Sequence, residues 1–172
     1  AEQTRPLLTV ARDIEDRKDL PRILDQAYRL AEYSDRVIVV PKDESLANDL
    51  EAQIPPEFLL GYSVPTRYGG TRIPTSAFKR PTHLLGGRPD VQRRLADTLP
   101  VFSIDVNRFT LDAAFGDYFD GSRFRPHPVG GYKNCLADSI RNISDLWRDY
   151  KAEWGHLQWT FAQKTRKLDA IS

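Results

Sequence analysis

The sequence predicts an α/β fold, with parallel β/α units forming a partial or small TIM-barrel-like sheet and a long helix towards the C-terminal end. Three observations predict it. Short, nearly unbroken apolar runs, the mark of strands buried on both faces, alternate with segments of helical periodicity. The runs recur at roughly 20–30 residues, the spacing at which a helix returns the chain to start a parallel neighbour. The 172 residues fall short of the about 250 that eight such units need, which leaves an incomplete barrel or an open doubly wound sheet.

Residues 7–12 (LLTVAR) read as the first strand. Residues 18–33 read as a helix, because Leu20, Ile23, Leu24, Ala27, Leu30 and Ala31 fall at helical spacing. Pro21 lies in its first turn, where the missing N–H costs nothing. Residues 36–40 (RVIVV), stopped by Pro41, form the second strand, and 44–53 a second helix. The third strand is 58–64 (FLLGYSV), and the fourth is 82–85 (THLL), closed by Gly86 and Gly87. A helix over 90–99 leads to the fifth strand, 101–105 (VFSID). Residues 120–131 (DGSRFRPHPVGG) read as a loop from their Gly and Pro punctuation. Residues 134–154 form the longest amphipathic helix, with Leu136, Ile140, Ile143, Leu146, Trp147, Tyr150 and Trp154 three or four apart. A single domain over 1–172 is expected: a β/α core over 1–120, then loop and helix over 121–172.

Composition narrows the function classes. At 40% hydrophobic and 28% charged residues the chain can bury a core and is not disordered throughout. No apolar run is long enough to cross a membrane as a helix, and no secretory leader is visible, so a cytoplasmic location away from membranes is expected. The single cysteine, Cys135, excludes a disulfide framework or a multi-cysteine zinc cluster within the chain, and no bound metal is expected. No GxGxxG and no GxxxxGK[ST] occurs, so dinucleotide and P-loop chemistry lack support. Charge is unevenly spread. Residues 1–60 carry eight basic and thirteen acidic side chains, and residues 61–94 carry seven and one. A basic middle suits a phosphate-bearing partner, though a solvated basic loop has the same composition.

Parallel sheets bind ligands at the carboxyl ends of their strands. Following each strand there gives Asp13, then Lys42, then Arg67, Tyr68, Gly69 and Gly70, then Gly86, Gly87 and Arg88, then Asp105 and Asn107, with His83 inside the fourth strand. Two carboxylates on one rim suit acid–base work or a carboxylate nucleophile, and the cations suit a phosphate or a developing negative charge. Plainer readings stand beside these. Asp13 and Asp105 could each cap a following helix, His83 could be a hydrogen-bonded core residue, and Gly86-Gly87 could be a simple turn.

The run 58–64, then 81–89 (PTHLLGGRP), then 101–107 (VFSIDVN) resembles the C-terminal half of the queuine/guanine transglycosylases. It is most similar to the DNA-acting relatives that install 7-deazaguanine bases in phage and bacterial DNA. The resemblance covers less than half the chain. It puts Gly61, Gly86, Gly87 and Asp105 at that family's base-recognition segment, turn and nucleophile. The family's paired base-pocket glycines are matched here by Gly61-Tyr62, and the RNA enzymes' cysteine-rich zinc site is not matched.

The resemblance implies a pentosyltransferase that exchanges guanine in nucleic acid, DNA ahead of RNA, for a deazapurine base without a cofactor. Asp105 would be the nucleophile and Asp13 the acid–base group. Lys42, Gly61, Tyr62, Arg67, Tyr68, Gly69, Gly70, His83, Gly86, Gly87 and Asn107 would face the substrate, and Arg72, Lys79, Arg80 and Arg88 the phosphate backbone. A second copy or a partner subunit would complete the barrel. The competing expectation is a non-catalytic module that binds nucleic acid or a phosphosugar on a partial barrel.

Overall fold

The computed structural model of the chain describes residues 5–151. Its organising element is a five-stranded sheet in the order β1-β2-β3-β4-β5, with every neighbouring pair parallel. The strands are β1 (Leu8–Val10), β2 (Arg36–Val39), β3 (Leu59–Ser63), β4 (Thr82–Leu85) and β5 (Val101–Ile104). Each strand pairs with the next one in sequence, so each crossover advances the sheet by one place. Right-handed crossovers repeated in one direction return on the same face. The sheet therefore curls as half a barrel.

Alternation along the strands divides the core in two. Val37, Val39, Leu60, Tyr62, Val64, Leu84 and Val101 face the outer layer, with Leu20, Ile23 and Ala27 of α1 (Leu20–Ala31) and Leu50 of α2 (Leu50–Gln53). Ile38, Val40 and Leu59, with Leu8, Leu85 and Phe102 around them, fill the concave face. α1 forms because Leu20, Ile23 and Ala27 recur on one buried stripe, with Pro21 in its first turn. The outer layer continues through α3 (Pro89–Leu95) and then α5 (Tyr132–Trp147), where the Arg93 guanidinium lies over the rings of Trp147 and Tyr150. The Tyr150 hydroxyl donates to the carbonyl of Val101 at 3.0 Å, tying this region to β5.

The parallel half-barrel agrees with the sequence reading, and several elements differ. The span 44–53 is a 3-10 turn over Glu44–Leu46 followed by the single turn α2, not one helix. Asp43 caps the 3-10 turn by accepting from the Ser45 N–H, and Asp49 is drawn into an ion pair with Arg17 at 2.5 Å. The helix expected over 90–99 ends at Leu95. α5 begins two residues earlier than 134 and ends at Trp147, and Trp154 lies outside the described residues. The loop expected over 120–131 contains β7 (Phe124–Pro126), paired antiparallel with β6 (Asp117–Phe119). A short helix, α4 (Arg108–Ala114), precedes this hairpin. Asp120 closes the hairpin turn by accepting from the N–H groups of Ser122 and Arg123. No helix among the described residues is long and apolar enough to cross a membrane.

Candidate functional site

The carboxyl ends of β3, β4 and β5 border an open cleft of about 1080 Å³, lined among others by Arg67, Tyr68, Gly87, Arg88, Asn107 and Arg108. One wall is the segment after β3. Its tip closes on itself, with the Thr66 and Gly69 N–H groups donating to each other's carbonyls at 2.8 and 3.1 Å. Gly70 makes the return at φ +144°, where a Cβ would sit 2.6 Å from Pro65 Cα, so no other residue fits without moving backbone. Thr71 pins the base of the loop: its N–H donates to the Ser63 carbonyl, and its hydroxyl accepts from the Ser63 N–H and donates to the Pro41 carbonyl. The tip projects, leaving Tyr68 83% exposed. The Arg67 guanidinium lies 4.6 Å from the Tyr68 ring centre and also donates to its hydroxyl.

The floor comes from Gly87 and Arg88 of the β4–α3 turn and from Asn107 and Arg108 beyond β5; Asp105, at the end of β5, borders this floor and is not among the residues that line the cleft. Gly87 has φ +81°, and a Cβ there would lie 2.5 Å from Val64 Cγ1. Glycine here lets the turn press against β3. Asp105 is exposed, and the Gly86 N–H donates to its Oδ1 at 2.7 Å. Its own N–H donates to the Leu84 carbonyl, and its carbonyl accepts from Gln92 Nε2 at 2.8 Å. No described residue donates to its Oδ2. Arg88 forms a two-pronged pair with Asp90 and also donates to the Ser122 carbonyl. Arg108 pairs with Asp112 at 2.9 Å. Arg67 has no carboxylate partner among the described residues, so it is the least neutralised cation of the cleft.

A second cluster occupies the β1–β2 end of the rim. Lys42 Nζ lies 2.6 Å from Asp13 and 2.9 Å from Glu15. Burial pulls the Lys42 ammonium down, but the hydrogen bonds and charges of Asp13 and Glu15 outweigh it and hold the group above the ordinary lysine range. Arg72 donates to the carbonyls of Lys42 and Glu15 and belongs to this cluster. Asp13 and Lys42 do not line the cleft, and they lie at the far end of the rim, whereas Asp105 stands two residues before the lining residue Asn107.

The capping alternatives for the two aspartates do not hold. The 3-10 turn after β1 is capped by Asp16, which accepts from the Lys18 N–H, while Asp43 accepts from the Arg17 N–H. α4 has Asn107 at its N-cap with no side-chain bond, and Asp105 contacts Gly86 instead.

Other expected site residues are separated from the cleft. Gly61 lies on the concave face, where a Cβ would meet Ile38, Val40 and Leu85 side chains at 2.8 Å, so aliphatic carbon fills the space a base would need. Tyr62 points to the opposite, helix-covered face, edge-on to Phe78, where burial pushes its phenol up. Lys79 and Arg80 precede β4 and so lie at the amino ends of the strands, away from the rim. Arg80 is half-buried against Glu51 and donates to the Ile54 carbonyl; burial pushes its guanidinium down, opposed by Glu51 and Glu57. His83 is a hydrogen-bonded core residue, with Nδ1 2.7 Å from Ser103 Oγ. Burial pushes its imidazole down, favouring the neutral ring, against the opposing pull of Asp105. Gln92, Arg108, Thr110 and Leu111 were not singled out from sequence. Gln92 sits in an ordinary helical pattern, and the others belong to α4, a helix too short to announce itself by periodicity.

No group of three or more His, Cys, Asp or Glu among the described residues could hold a metal ion. The model of a family of unknown function (DUF6610) matches residues 1–148, and the chain belongs to that family. No curated protein and no solved structure matches the chain.

Proposed function

We propose that this DUF6610 member binds a nucleotide of a nucleic-acid strand in the β3–β5 cleft and exchanges its base through Asp105. The observation that carries the reading is the state of that carboxylate. It is anchored through Oδ1 by a backbone N–H, and among the described residues no cation pairs with it and none donates to Oδ2, beside a cleft rimmed by arginines and an exposed tyrosine. Tyr68 offers a face on which an unstacked base can lie, and Arg67 supplies charge for a phosphate.

In the reaction, an Asp105 carboxylate oxygen bonds to the anomeric carbon of the nucleoside. The bond from that carbon to the base breaks, and the departing base takes the electron pair and a proton. The incoming deazapurine nitrogen then attacks the same carbon and loses its proton, and the ester bond breaks to restore the carboxylate. The target base must be flipped or single-stranded to reach the cleft. DNA is the favoured nucleic acid, following the resemblance to the DNA-acting transglycosylases. A second copy or partner subunit that closed the half-barrel would bring the proton-handling group.

A second reading is favoured by one observation. Asp13, the expected acid–base group, is bound to Lys42, and neither it nor Asp105 is among the residues that line the cleft. A module that binds nucleic acid without chemistry would need neither. Incubation with single-stranded and duplex oligonucleotides plus labelled guanine or 7-deazaguanine separates the two. Label entering the strand, and lost in Asp105→Asn, supports exchange. Binding with no incorporation in the presence or absence of a host lysate leaves the binding module.

A further inference from the structure

Asp105 is held by a second residue that no sequence motif marks. Gln92 lies on α3, fully buried, and its Nε2 donates to two carbonyls at once, Gly86 at 2.7 Å and Asp105 at 2.8 Å. Gly86 in turn donates its N–H to Asp105 Oδ1 at 2.7 Å. These bonds form a closed loop: one amide group fixes the backbone of both partners, and the partners then fix the carboxylate. The amide orientation is set by chemistry, because turning it over would place Oε1 against two carbonyl oxygens. That orientation leaves Oε1 buried with no partner. A buried acceptor without a donor costs stability, so an apolar side chain of similar size would avoid one penalty here. Gln92 accepts that penalty and in return joins the turn after β4 to the end of β5.

We infer that Gln92 is the positioning residue for Asp105: it sets where the carboxylate stands on the rim, acting through Gly86 and the Asp105 backbone. The inference rests on the proposed role of Asp105, but its geometry can be tested without that role. Displacing a reacting group by about 1 Å costs on the order of 100-fold in rate. Gln92→Glu places an ionised acceptor against two carbonyls at neutral pH; when protonated, it can donate to one of them.

The full chain carrying Gln92→Glu should exchange base 10- to 100-fold more slowly in kcat at pH 7, with KM for the oligonucleotide within about twofold of the wild type. Part of the rate should return as the pH falls towards 5, measured relative to the wild type at each pH. A second variant, Gln92→Leu, is read by amide hydrogen exchange. The Gly86 N–H should exchange at least about tenfold faster, while Leu60 and Leu84 keep wild-type protection.

An unchanged kcat in folded Gln92→Glu, or unchanged Gly86 protection in Gln92→Leu, overturns the inference. Loss of folding in both variants overturns it as well, making Gln92 a determinant of the fold. If the wild type exchanges no base with or without host lysate, the reading of Asp105 as nucleophile fails, and Gln92 is judged by the Gly86 amide alone.

Discussion

The two ends of the rim use the same residue types to opposite effect. At the β1–β2 end, Asp13 and Glu15 share the Lys42 ammonium, Arg17 binds Asp49, and Arg72 covers the carbonyls of Lys42 and Glu15. Each charge there answers another. At the β3–β5 end, the Asp105 carboxylate accepts from one neutral backbone donor, the Gly86 N–H, and Arg67 rests on an aromatic ring rather than a carboxylate. Ion pairing consumes the reactivity of a group, whereas a hydrogen bond from a backbone N–H fixes its position and leaves its charge available. A carboxylate at a strand end is therefore informative only together with what neutralises it.

The largest effect that could break this contrast is chemical. Asp105→Asn should abolish base incorporation while nucleic-acid affinity stays within about twofold, whereas Asp13→Asn should leave affinity at the cleft unchanged. Equal loss of affinity in both variants would mean that the two ends form one site.

Gly87→Ala should destabilise the fold by about 1–3 kcal/mol, since the new methyl meets Val64 and the left-handed backbone is strained. Urea denaturation at constant m-value measures it, and a smaller loss would show that the turn can move off β3.

Salt dependence compares the ends directly. Arg67→Ala should lower the slope of log affinity against log salt by about 0.7 for a single-stranded partner, or 0.9 for duplex DNA. Lys79→Ala, at the opposite end of the strands, should leave the slope unaltered.

Lys42→Met tests the neutralised end. The folded Lys42 value is raised, so its contribution is fully present below the ordinary lysine value of 10.5 and is lost as pH rises through the higher folded value. Alkaline denaturation above about pH 10.5 should therefore become shallower in Lys42→Met. An identical alkaline profile would show that the ammonium contributes nothing.

The smallest effect lies in the hairpin turn. The backbone N–H groups of Arg123 and Ser122 lower the Asp120 carboxyl from 3.8 to about 2. Its contribution is therefore complete above 3.8 and disappears as pH falls through about 2. Because Ser122 also receives Arg88, acid should loosen both, seen as amide shifts of Ser122 and Arg123 that vanish in Asp120→Ala.

The sheet was legible because buried parallel strands are written as dense apolar runs such as VIVV and THLL, and their spacing leaves room only for crossovers. β6 and β7 escaped notice because three residues are too few to show alternation, and the pairing of Phe119 with Phe124 spans a turn that reads as loop. The rim residues were legible as a list, since position at a strand's carboxyl end follows from strand order. Their partners were not. Nothing local distinguishes Asp13 from Asp105, because Lys42 and Gly86 reach them across strand neighbours. Tyr62 was misread for a simpler reason: in a strand, adjacent residues face opposite ways, so Gly61 and Tyr62 could never share one pocket.

The sequential order of the sheet bears on how the molecule comes into being. Each strand of β1 to β5 pairs with the one made just before it, so loop closure never waits for a distant part of the chain. Topologies rich in such near-neighbour pairings form quickly, and emergence from the ribosome, at about 5–20 residues per second, could add one β/α unit at a time. A growing sheet exposes a new edge after each addition. For β5 part of the cover arrives late, when Tyr150 reaches the Val101 carbonyl. Until then the nascent chain presents an open strand, the stage at which a chaperone would be most needed.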